Sequence, residues 1–144
     1  MEFIIQTDPS LSLVALRLGL GFIFFIHAAQ KVFGWFGGHG PRETVNGWKQ
    51  RYHIPKPWGV IGVFTEFTGS LCVFSGFLTR PAAFGLAIFM LVAIRVAHWN
   101  NGFFLARRQG EGNGIEYCLS LFIMTLALLF GGGGSLSIDR WLAR

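Results

Sequence analysis

Four apolar stretches constrain this chain more than any other feature. Each is about 17–21 residues long, the length an α-helix needs to cross a 30 Å hydrocarbon layer. They are predicted as helices over residues 11–30, 58–78, 81–99 and 114–130. Asp8-Pro9-Ser10 supplies capping chemistry before the first. Ile54-Pro55-Lys56-Pro57 breaks the chain before the second. Thr79-Arg80-Pro81 turns tightly into the third, with Pro81 suited to its first helical position. Gly131 to Gly134 ends the fourth, ahead of a short tail. A soluble bundle would show a polar face on each helix, whereas Leu119 to Phe130 is apolar almost all round. The expected fold is all-α, a single integral membrane four-helix bundle over residues 1–144 with a long first loop at 31–57.

Composition agrees. Charged residues make up 13% of the chain, about half the share of a soluble domain. Sixteen Phe and twenty Gly suit helices that face lipid and pack closely. The net charge of +5 raises nucleic acid as a partner, but no basic stripe or stacking platform accompanies it. The bilayer, with its anionic headgroups, is the simpler counterpart. Trp35, Trp48, Trp58, Trp99 and Trp141 fall at segment ends or in loops, as an interfacial belt requires. Cys72 and Cys118 lie inside apolar stretches without a C-x-x-C spacing and read as buried structural thiols. Glu2, Asp8 and Arg17 argue against a cleaved leader. Lys31, Arg42, Lys49, Arg51, Lys56, Arg107 and Arg108 fall in the two long loops, against Arg80, Arg140 and Arg144 at the other end. The positive-inside rule then places the long loops in the cytoplasm and both termini outside.

Ionisable residues at membrane depth are costly and mark function. His27 and Glu66 flank the first long loop, and His98 and Glu116 flank the second. Antiparallel helices bring all four to one end of the bundle. Lys31 lies four residues after His27 and Arg95 three before His98, so each pair shares a helical face. Lys31, Arg95 and Glu116 also suit snorkelling to headgroups. Glu66, about two turns deep, requires a specific partner, for which Arg95 is the first candidate. Arg17 lies fourteen residues before Lys31, about 21 Å along a helix, and belongs to the opposite face, where it pairs with Asp139 or snorkels.

Phe33-Gly34-Trp35-Phe36-Gly37-Gly38 suits a re-entrant cap, a flat aromatic ligand site or simple interfacial anchoring. Two histidines without an H-x-x-x-H spacing make no metal or haem signature, and no flavin motif, phosphate loop or nucleophile elbow occurs. Glu66 to Leu71 echoes Glu116 to Leu121, which suits either two pseudo-repeated helical hairpins or chance similarity between apolar helices.

Arg17-x-x-x-Gly21, His27-x-x-x-Lys31, Phe33 to Gly38 and Glu66-x-x-Gly69 resemble the DoxX family of small bacterial membrane proteins. Gly76 to Arg80, His98-x-x-x-Gly102-Phe103-Phe104, Gly114-x-Glu116-Tyr117 and Leu136 to Asp139 continue the resemblance. Ala28 stands where many members have Gly, and Gly133-Gly134 replaces a more usual Gly-Pro-Gly. The resemblance implies four helices in the bacterial cytoplasmic (inner) membrane and a link to quinone-coupled oxidation. Relatives include membrane subunits of thiosulfate:quinone oxidoreductase and partners in thiol and oxidative-stress defence.

The expected function is a quinone- or thiol-linked oxidoreductase, or the membrane subunit of one. His27 and His98 then hydrogen-bond a quinone headgroup, and Glu66 and Glu116 carry protons. Lys31 or Arg95 stabilises anionic forms, with Trp35 and Phe36 against the ring. Electrons come from a soluble or membrane redox partner, or from a reduced sulfur substrate. The alternatives are a non-catalytic assembly or partner-binding subunit, a small-molecule or lipid carrier, and a proton-coupled transporter. Gly69, Gly76 and Gly85 suit a homo-oligomer.

Overall fold

The computed structural model describes residues 5–108 and 111–143; Glu2 and Arg144, used above for leader and orientation, lie outside them. Helix α1 spans Leu11–Val32, α2 Gly40–Tyr52, α3 Lys56–Ser75, α4 Thr79–Ala93, α5 Glu116–Gly131 and α6 Ile138–Leu142. Beyond Ala93, α4 continues through a π-helical turn at Ile94–His98 and a 3-10 turn at Trp99–Asn101.

The long helices run antiparallel, as their close approaches require. Lys31 meets Glu66 and Gly21 meets Phe74 between α1 and α3. Gly69 meets Leu86 and Gly62 meets Phe89 between α3 and α4. Arg80 reaches Leu129, and His98 reaches Asn113, between α4 and the α5 segment. Both long connections therefore lie at one end. The segments Leu11–Val32, Lys56–Ser75 and Thr79–Asn101 are long and apolar enough to cross a membrane, and α5 is a shorter apolar helix.

Leu20, Phe24, Val73, Leu86, Met90, Leu121 and Leu128 build the buried core. Phe22, Phe64, Phe84, Ile123 and Phe130 point outward, a surface that suits lipid better than water.

Several element ends differ from expectation. Ser10 is the residue before α1, but its side chain makes no capping bond; its carbonyl instead accepts from the Ser135 amide at 3.3 Å. α3 stops at Ser75 rather than residue 78, because Gly76 adopts φ 73° and the amides of Gly76 and Phe77 both return to the Cys72 carbonyl. Pro81 is the third residue of α4, not the first. α5 begins at Glu116 because the amides of Gly114 and Ile115 are taken by the carbonyls of Phe104 and Gly102.

The long first loop contains a helix that the hydropathy pattern did not reveal. α2 is amphipathic: Val45 is buried and Trp48 and Tyr52 half-buried, while Arg42, Lys49 and Arg51 face outward. Its punctuation was present in the sequence, with Pro41 and Glu43 in the first turn and Lys49 and Arg51 in the last.

At the terminal end, Arg17 neither snorkels nor forms the expected contact pair with Asp139. It is buried, and its guanidinium donates to the carbonyls of Gly133 at 2.8 Å, Leu136 at 2.6 Å and Phe74. Asp139, also buried, accepts the amides of Leu78 at 2.7 Å and Thr79 at 2.8 Å. Arg17 satisfies carbonyls left where α3 and α5 end, and Asp139 satisfies the amides that open α4. Gly131 to Gly134 belongs to this knot: the Gly131 carbonyl accepts from Asp8, and the Gly134 amide donates to Thr7 Oγ1.

Candidate functional site

A chamber of about 380 Å³ lies at the end of the bundle where the long connections meet. Phe24, Phe89, Met90, Ala93, Val96 and Leu121 give it apolar walls, and α2 with the turn after it adds Trp48, Tyr52 and Ile54. His27, Lys31, Glu66, His98 and Tyr117 supply its ionisable and hydroxyl groups. Its size and lining suit a small-molecule site, apolar with a few placed polar groups.

Glu66 projects from the middle of α3 and retains only 2% of its surface. Its partner is Lys31, whose Nζ lies 2.6 Å from Oε1 and 2.5 Å from Oε2. The expectation that Arg95 would fill this role is corrected. One turn of helix brings Lys31 inward from α1, whereas Arg95 is exposed on the outer side of the π turn and does not line the chamber. Lys31 also stands between two rings, 5.9 Å from the Trp48 centroid and 5.5 Å from that of Phe89. Ion pairing and the two aromatic faces together offset the loss of hydration at this depth.

His27 lies one turn before Lys31, at the exposed rim of the chamber. Its Nε2 is 3.5 Å from the Tyr117 hydroxyl, with the rings 6.2 Å apart. His98 contributes from the other side of the opening, where its Nδ1 lies 2.7 Å from the Asn113 carbonyl. A carbonyl only accepts, so Nδ1 carries a proton and Nε2 is left for a second interaction. The π turn that ends at His98 also supplies Val96 and Ala97 to the wall.

Glu116 is placed differently. It opens α5, its Oε2 accepts the Leu105 amide at 3.1 Å, and it does not line the chamber. At the start of its helix it holds the preceding loop, whereas Glu66, its counterpart in the sequence echo, lines the chamber. Trp35 and Phe36 also stand outside. Gly38 packs its backbone against Gln30 so closely that a Cβ would lie 2.1 Å from the Gln30 carbonyl oxygen. The turn therefore folds back over the end of α1 and leaves Trp35 and Phe36 exposed, with Trp35 stacked 4.9 Å from Phe33. The cap is instead supplied by α2.

Tyr117, Trp48 and Tyr52 were not among the expected site residues. Val45, Trp48 and Tyr52 recur at helical spacing within the first loop, and that signal marks a face turned inward. Trp48 is thus a chamber wall. Cys118 is buried and lines the chamber beside Tyr117, and both cysteines are free thiols. Among the described residues no group of three or more His, Cys, Asp or Glu side chains is placed to hold a metal ion.

A family model described as DoxX matches residues 12–99. No curated protein and no solved structure matches the chain.

Proposed function

The chain belongs to the DoxX family, and on that premise we propose that it is a quinone- or thiol-linked oxidoreductase, or the membrane subunit of one, with its chamber as the headgroup site. It is a multi-pass integral membrane protein. The reading rests chiefly on one observation: a chamber with largely apolar walls holds a buried Lys31–Glu66 pair and two histidines at one end of a membrane bundle. We place it in the bacterial cytoplasmic membrane with the chamber end inward. Arg42, Lys49, Arg51, Lys56, Arg107 and Arg108 all lie at that end, even after Lys31 is assigned to the site.

A quinone ring suits these residues. Phe24, Phe89, Met90 and Leu121 offer apolar contact, and Lys31, Tyr117 and the histidines offer polar contacts. A bound quinone supplies an acceptor of two electrons and two protons. Lys31 donates hydrogen bonds to a developing anionic oxygen, and Glu66 fixes the ammonium in place. Tyr117 and His27 form a short proton path to the exposed rim, while the Asn113 carbonyl orients His98 so that Nε2 faces a second oxygen. Trp48 and Tyr52 exclude water from above. The electrons come from a reduced sulfur compound or a partner protein.

The test is lipid analysis and absorption of the purified protein. Quinone is expected to co-purify with the wild type and to be lost from Glu66→Gln and His98→Ala variants that still fold. Unchanged cellular activity in both variants would sink the proposal.

A non-catalytic partner-binding subunit or small-molecule carrier is the second reading. Glu116 and Arg95 lie outside the chamber, so fewer proton-handling groups converge there than the sequence promised. Under this reading the same ligand binds but no redox turnover follows with any donor.

A further inference from the structure

A second cavity lies on the outer side of α2, away from the chamber. It measures about 250 Å³ and runs along the junction between α2 and the first turns of α3. Arg42, Asn46 and Lys56 supply its polar lining, and Val60, Val63 and Phe64 its apolar lining. Arg42 and Lys56 are both exposed, and neither forms an ion pair with a carboxylate among the described residues. Glu43, the acid next to Arg42, faces His39 at 3.7 Å instead. Lys56 also opens a twenty-residue helix, whose N-terminal end adds partial positive charge.

The groove has the shape and polarity of a lipid. From Lys56 to Phe64 the helix rises about 12 Å, the distance from a headgroup into the upper acyl region. Val60 and Phe64 are exposed on the outer face of a membrane-crossing helix, so acyl chains are their natural neighbours. Two cations lining one groove call for a phosphodiester, and the apolar residues beside them call for a chain attached to it. A soluble anion satisfies only the first requirement, and a zwitterionic lipid weakens it.

We propose that the α2–α3 groove is a binding site for an anionic phospholipid, with the phosphate between Arg42 and Lys56 and one acyl chain along Val60 and Phe64. The site is separate from the chamber. It also gives α2 a second anchorage, since Val45 packs at once on Gly59 of α3 and on this groove. Lipid here therefore holds the helix that covers the chamber.

The experiment measures thermal unfolding of the full chain in detergent with added phosphatidylglycerol, phosphatidylcholine or soluble glycerol phosphate. Native mass spectrometry counts the lipids retained. Phosphatidylglycerol is expected to bind about ten- to thirtyfold more tightly than phosphatidylcholine, the effect of two surface cations acting together. The preference should fall on raising salt and vanish in Arg42→Gln/Lys56→Gln. It should persist in Arg42→Lys/Lys56→Arg and in Arg107→Gln/Arg108→Gln, which changes the basic residues of the other connection. Both neutralised residues are exposed, so folding is expected to survive; quinone content reports separately on the chamber. Equal binding of the two lipids, a preference unaffected by Arg42→Gln/Lys56→Gln, or equal stabilisation by glycerol phosphate would each overturn the proposal.

Discussion

Lys31 holds both carboxylate oxygens of Glu66, at 2.6 and 2.5 Å, and joins α1 to α3 where the bundle opens into its chamber. Lys31 keeps 22% of its side-chain surface and Glu66 only 3%. Removing the lysine therefore strands a carboxylate with little access to water. Lys31→Met should destabilise the protein by about 3 kcal/mol, the lower end of the range for breaking a buried pair. Lys31→Met/Glu66→Met should recover most of that loss while binding no ligand. Unfolding of the set in one detergent, with ligand content measured in parallel, separates the two roles.

Glycines along α1 give a sharper packing test. A Cβ at Gly21 would lie 2.8 Å from the Phe74 backbone, which cannot swing aside, while one at Gly19 meets nothing within 4 Å. Gly21→Ala should cost about 1–3 kcal/mol through overpacking. Gly19→Ala should be neutral or stabilise by up to about 1 kcal/mol, since alanine favours the helix. Thermal unfolding of the two single variants decides it, and equal effects would contradict the close approach of α1 and α3.

Arg17 should tolerate no substitute. Its guanidinium serves three carbonyls, one in the last turn of α3 and two in the segment after α5, a geometry that a lysine ammonium does not reproduce. Arg17→Lys should lose about 2–3 kcal/mol and Arg17→Leu more, because buried acceptors are left unpaired. The chamber lies at the other end, so ligand affinity in the folded fraction should not change. A parallel loss of affinity would show that the two ends are coupled.

The sequence carried the bundle well, for a physical reason. Helix length and uniform apolarity are properties of single segments, and loop positions then force the antiparallel order. Partner choice is a different matter. Arg95, the first candidate for Glu66, carries the same charge as Lys31, and only the assembled helices set Lys31 against Glu66 and leave Arg95 exposed outside the chamber. Glu66 and Glu116 also stand in similar local sequences, yet one lies ten residues inside its helix and the other opens its helix. α2 was missed because its inward face is one Val and two aromatics among charged residues, too sparse for a hydropathy pattern. Its caps were legible.

Filling the chamber tests its role without touching an ionisable group. Ala97→Phe projects a ring from the wall beside His98. Ligand content should fall at least tenfold while Lys31, Glu66 and both histidines remain. Tyr117→Phe should weaken binding only a few fold, the effect of one neutral hydrogen bond. Quinone extraction from matched preparations reads both effects, and unchanged content in Ala97→Phe would place the ligand elsewhere.

The most direct measurement is photolabelling of the wild-type protein with a short-tailed azido-quinone, followed by peptide mapping. Label should concentrate on chamber segments, around His98 and around Tyr117 and Cys118, and unmodified quinone should compete it away. Label spread over the lipid-facing residues Phe22, Phe84 and Phe130, and indifferent to competitor, would contradict a headgroup site in the chamber.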